Sequence, residues 1–189
     1  MSHLPVSTPP AARARGFTRK AWLAAAFVAV ALPTALPAAE LDITLEIPRM
    51  SVAEYHRPYV AVWLERPDHS VAANLAVWYD VDMKADEGSK WLKDMRQWWR
   101  RTGRTLTMPV DGVSGATRPV GQHQLRFNDA SGPLKGLAPG EYQLIIEAAR
   151  EVGGREVVSV PIQWPAKAPQ QVQAQGKTEL GKISVAIKP

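Results

Sequence analysis

The stretch Asp111-Gly-Val-Ser-Gly-Ala-Thr117 sets two hydroxyls, Ser114 and Thr117, among residues with almost no side-chain bulk. Gly112, Gly115 and Ala116 clear the backbone around them. A hydroxyl that is to be esterified by a bulky phosphate donor needs that uncluttered approach, because the oxygen must reach phosphorus in line. The plainer alternative is a Gly-rich turn that leads into a strand near Gln124. Other arrangements fit their chemistry less well. Asp80, Asp82 and Asp86 have the spacing of a calcium loop, but Lys84 occupies a ligand position and Trp91 replaces the closing Glu, so a solvated turn is expected. His56, His69 and His123 share no metal-ligand spacing. Ser114 lies in no Gly-x-Ser-x-Gly elbow, which argues against a hydrolase.

The elements that must position these residues are mostly strands. Leu41–Ile47 alternates strictly, and short runs follow at 59–64, 75–81, 124–127, 142–148, 156–164 and 180–187. Seven such runs separated by turn signals predict an all-β fold, an antiparallel sandwich. Gly153-Gly154 is placed to form a hairpin turn, and Pro161 marks an edge position or a bulge. Residues 165–177, rich in Pro and Gln, read as an exposed loop before the last strand. Leu137-Ala-Pro-Gly-Glu-Tyr142 has the form of a tyrosine corner, which points to an immunoglobulin-like sandwich.

One segment breaks the period-2 pattern. In Ser89–Arg101, Trp91, Leu92, Met95, Trp98 and Trp99 fall on one helical face, predicting a single amphipathic helix that Ser89 caps and Gly103 stops. Trp91, Met95 and Trp98 are expected to dock on the sandwich. The Arg and Lys side is left for solvent, a membrane surface or an acidic partner.

The chain has 189 residues, 46% hydrophobic and 22% charged, with no Cys. Disulfides, thiolate metal sites and a cysteine nucleophile are excluded. Residues 1–39 hold four cations, no Asp or Glu, an apolar run from Ala21 to Leu36 and small residues at Ala38 and Ala39. That order predicts a cleaved secretory signal peptide, because the run is short for a membrane span. Removing it leaves residues 40–189 as one domain with 19 Lys and Arg against 18 Asp and Glu, about +1. So neutral a chain lacks the electrostatic footprint of a nucleic-acid binder.

Two resemblances bear on function. The string Asp111–Thr117 resembles the Asp-x-x-Ser/Thr-Gly-Ala-Thr acceptor motif of covalently flavinylated bacterial redox proteins. That resemblance implies that Thr117 carries FMN, transferred from FAD by a flavin transferase. Asp111, Ser114, Gly115 and Ala116 would be the recognition frame; the chain departs from the motif at Arg118-Pro119, where those proteins often have a small polar residue, and the Arg118 charge is a candidate partner for the flavin phosphate. Over roughly residues 41–165, the segments Arg57–Trp63, Lys90–Arg100, Asp111–Pro119, Pro139–Tyr142 and Glu147–Glu151 resemble a family of predicted periplasmic proteins known as domain of unknown function 2271. This implies export, an immunoglobulin-like β fold, and genomic company with flavin transferases and membrane-embedded electron carriers. The expectation is an exported, periplasmic FMN-bearing electron relay. The alternative is a non-redox immunoglobulin-like accessory module that binds a membrane or periplasmic partner.

Overall fold

The computed structural model describes residues 38–189, so the signal peptide assigned to residues 1–39 lies almost wholly outside them. The described chain is an all-β sandwich of nine strands: β1 (Glu40–Ile47), β2 (Tyr59–Glu65), β3 (Val71–Tyr79), β4 (Ser114–Ala116), β5 (Gly121–Asn128), β6 (Gly140–Ala149), β7 (Arg155–Trp164), β8 (Gln170–Gln175) and β9 (Lys182–Lys188). One sheet has the order β5-β1-β9-β8 and the other β4-β3-β2-β6-β7. Every pairing is antiparallel except that of β3 with β4. Among the described residues, no helix is long and apolar enough to cross a membrane.

The core follows from the two strand patterns. β1 alternates, and its Leu41, Ile43, Leu45 and Ile47 are fully buried against Val60, Val62 and Leu64 of β2, Ile146 of β6 and Ile183 and Val185 of β9. Each such side chain contributes about 1.5–3 kcal/mol of burial. β2 instead is buried at every position. Its outward-facing Tyr59, Ala61 and Trp63 join a second apolar cluster with Leu92, Met95 and Trp98. A strand covered on both faces reads as a continuous apolar run, which is what Tyr59–Leu64 is.

The covering layer differs from the single helix expected at 89–101. A 3-10 stretch runs from Lys84 to Asp94, with left-handed backbone at Ala85 and Asp86, and only Arg96–Arg101 (α1) is α-helical. Left-handed backbone at Ala85 and Asp86 and the non-helical ψ of 74° at Met95 interrupt a regular helix, while Leu92, Met95 and Trp98 form one fully buried stripe. Trp91 falls off that stripe and is 46% exposed. Gly88 holds the stretch close to the sheet, since a Cβ there would lie 2.0 Å from the Asp80 carbonyl oxygen.

Three smaller features match expectation. The Tyr142 hydroxyl donates to the Ala138 carbonyl at 2.7 Å, closing the tyrosine corner. Gly153-Gly154 turns β6 into β7, with the Arg150 N–H donating to the Gly154 carbonyl at 3.1 Å. Pro161 lies in β7, an edge strand. The loop expected at 165–177 is corrected: Gln170–Gln175 is β8, paired with β9. Val172 and Ala174 pack against the core while the glutamines between them stay outward, an alternation too weakly apolar to stand out.

Candidate functional site

The site begins with a turn. Val110 to Ser114 closes through N–H donors of Val113 and Ser114 to the Val110 carbonyl, at 3.2 and 2.9 Å. Gly112 takes φ +68° there, a conformation that favours glycine. The Ser114 Oγ accepts the Val110 N–H at 2.9 Å, which ties this oxygen to the turn. Ser114, Gly115 and Ala116 then pair in parallel with Val77, Trp78 and Tyr79. The Thr117 N–H extends the ladder by donating to the Tyr79 carbonyl at 3.2 Å. Because Ala116 stands opposite Tyr79, the next residue of each strand, Thr117 and Asp80, come abreast. The Thr117 hydroxyl donates to Asp80 Oδ1 at 3.3 Å.

Thr117 and Asp80 both line a cavity of about 300 Å³. The segment before β2 contributes Tyr55, Arg57 and the start of β2 itself, Tyr59. The segment after β3 contributes Met83 and Trp91. Tyr55, Met83 and Trp91 are three of the six exposed large hydrophobics among the described residues. They give the cavity aromatic and thioether walls, set beside the charged Arg57, Asp80, Asp94, Arg150 and Glu151. Arg57 has no carboxylate partner among the described residues, whereas the Arg150 guanidinium is committed to Glu179 at 3.0 Å. Burial pushes the Tyr59 hydroxyl up to about 12, with the Asp80 charge adding to it. It therefore stays a neutral donor, reaching the Gly88 carbonyl at 3.3 Å.

Of the residues predicted from sequence, Thr117 lines the cavity. Asp111 is exposed on the turn, and Ser114, Gly115 and Ala116 build β4. Arg118 points elsewhere, its guanidinium 5.3 Å from the centre of the Trp78 ring, a cation–π contact. The open loop expected around Thr117 is instead a strand end, and the residue is only 8% exposed. Sequence reasoning missed Asp80, Tyr55 and Arg57 as site residues. Arg57 opens the run Arg57–Trp63 and Arg150 sits in Glu147–Glu151, so both segments carried a signal. Asp80 carries a signal only in its calcium-like spacing with Asp82 and Asp86, and none toward Thr117.

A hydroxyl held by a carboxylate, with aromatic walls and a free guanidinium beside it, can accept and retain an aromatic phosphate ester. Among the described residues, no group of three His, Asp or Glu is placed to hold a metal ion. Residues 40–182 match a family model described as predicted periplasmic protein (DUF2271). No curated protein and no solved structure matches the chain.

Proposed function

The chain belongs to the DUF2271 family of predicted periplasmic proteins, and on that premise we propose that it is an exported domain carrying covalent FMN on the Thr117 hydroxyl. In this role it relays electrons to a membrane-embedded redox partner and turns over no substrate of its own. The observation that carries the proposal is the position of Thr117. It lines the same cavity as Tyr55, Met83 and Trp91.

The flavin, once attached, supplies the redox chemistry; the chain supplies place and surroundings. Trp91 and Tyr55 offer flat aromatic faces and Met83 a polarisable thioether for the ring. Arg57 offers a charge-assisted partner for the phosphate. Asp80 holds the hydroxyl proton of Thr117 in the unmodified chain. Attachment joins Thr117 Oγ1 to the flavin-side phosphorus of FAD, breaks the pyrophosphate bond and releases AMP and the hydroxyl proton.

The low exposure of Thr117 favours the second reading, a non-redox accessory module in which Thr117 only closes a strand. Co-expression with an exported flavin transferase separates the two. Flavin fluorescence that survives a denaturing gel in the wild type, and vanishes in Thr117→Val, is the expected result. A dark wild-type band beside a labelled control protein supports the accessory module.

A further inference from the structure

A second surface concentrates positive charge in a way the near-neutral domain does not require. Lys93, Arg96, Arg100 and Arg104 are exposed and have no carboxylate partner among the described residues. The carboxylates beneath them are sealed. Glu65 is buried and accepts from Trp63 Nε1 at 2.9 Å, with Arg101 Nε at 3.4 Å. Glu147 is fully buried and accepts the N–H groups of Gln97 and Trp98 at 3.0 and 2.7 Å, with Arg155 as its ion-pair partner. Asp94, the one acidic residue between Lys93 and Arg104, lines the Thr117 cavity instead. Asp68, in the turn from Arg66 to Ser70, is an exposed acid at the margin of this face, where it accepts from Ser70 at 2.9 and 2.7 Å.

Lys93, Arg96 and Arg100 border two hollows. One, of about 800 Å³, takes Arg66, His69, Arg100 and Arg101, with the apolar side chains of Ile145 and Val157 between them. The other, of about 410 Å³, takes Lys93, Arg96, Arg100 and Arg155 around Trp99. Arg100 belongs to both, so the two form one cationic band along α1 and onto β7, an edge strand. Crowding like charges costs self-repulsion that an anionic partner relieves.

We propose that this band is a docking surface for a carboxylate-rich segment of a partner protein. A lipid surface fits it less well. None of the exposed large hydrophobics among the described residues lies in either hollow, whereas helices that settle on membranes insert an apolar face. Here α1 turns Trp98 inward, and grooves suit a chain segment better than a flat bilayer. The docking surface does not depend on the flavin, and its test is run on the Thr117→Val chain beside the wild type.

Fluorescence anisotropy with a fluorescein-labelled decaglutamate peptide tests the proposal on the full exported protein. Binding is expected in both chains, weakening as salt rises. The double reversal Arg96→Glu/Arg100→Glu should lose at least about tenfold in affinity, and Arg96→Lys/Arg100→Lys should stay within about threefold. The charge-matched reversal Lys135→Glu/Lys182→Glu, elsewhere on the surface, should also stay within about threefold. Far-UV circular dichroism confirms that each variant is folded. The proposal is overturned if the wild type ignores the peptide, if both reversals lose affinity equally, or if neither does. It is also overturned if phosphatidylglycerol vesicles, and not the peptide, bind through Arg96 and Arg100.

Discussion

Thr117 and Asp80 lie 37 residues apart in sequence, yet the threonine hydroxyl donates to the aspartate carboxylate at 3.3 Å. The contact exists because β4 runs parallel to β3, and the register that sets Ala116 against Tyr79 brings the next residues side by side. Asp80 is exposed while Thr117 is nearly covered, so the carboxylate lies on the solvent side of the hydroxyl.

On the proposed FMN attachment, Asp80 would orient the Thr117 hydroxyl and take up its proton. Asp80→Ala should slow FMN attachment by about a hundredfold, within the usual range for losing a positioned base. Stability should change by only about 0.5–1.5 kcal/mol, the worth of one hydrogen bond. A time course of intact mass with transferase and FAD, beside a urea melt, checks both. An unchanged rate removes Asp80 from the chemistry.

The buried stripe predicts a contrast between two tryptophans. Trp98→Ala should cost about 3–5 kcal/mol, because its ring is fully buried and its Nε1 donates to Asn74 Oδ1 at 2.9 Å. Trp91→Ala should cost about 0.5 kcal/mol or less, as an exposed position. Equal losses in denaturant melts would return Trp91 to the core and the segment to a regular α-helix.

The same segment shows why part of the fold could be read and part could not. Strict alternation in Leu41–Ile47 and the continuous run Tyr59–Leu64 reveal one-sided and two-sided burial directly. Tyr142 after Pro-Gly reveals the corner. Ser89–Arg101 satisfies two periods at once, since Leu92, Met95 and Trp98 fit a spacing of three and Trp91, Met95 and Trp99 a spacing of four. Only packing on β2 and β6 decides between them. Thr117 was legible because its neighbours are small. Asp80 was not, because its role comes from strand register across 37 residues, which no local spacing encodes.

Glu147 ties the covering layer to the sheet. It stands on β6, is fully buried, and accepts the Gln97 and Trp98 N–H groups at the start of α1. Glu147→Ala strips these donors of their partner and leaves Arg155 without a counter-charge. A loss of about 3–5 kcal/mol is expected, as for breaking a buried pair from one side. Faster hydrogen exchange at residues 96–101 should accompany it. A loss below about 1 kcal/mol would show that apolar packing alone fixes α1.

Glu156 sets an acid limit to stability. Partial burial pushes its pKa up, but the N–H groups of Lys177, Thr178, Leu180 and Glu179 outweigh that and hold it below the ordinary 4.5. A carboxyl lowered on folding stabilises the protein above its unfolded value. That contribution is lost as pH falls through the folded one. Glu156→Gln should therefore cost about 1–2 kcal/mol near neutral pH, and the gap to wild type should close below about 4.5. Urea midpoints measured down to about pH 3 test this; a gap that persists at acid pH would assign the effect to packing.

The central claim is that Thr117 carries FMN. Peptide mapping by tandem mass spectrometry, on protein exported together with a flavin transferase, measures it most directly. The account predicts one peptide spanning Asp111–Arg118 heavier by one FMN less one water, with the fragment ions placing the added mass on Thr117 and not on Ser114. An unmodified peptide beside a fully labelled control acceptor, or the added mass on Ser114, would contradict it.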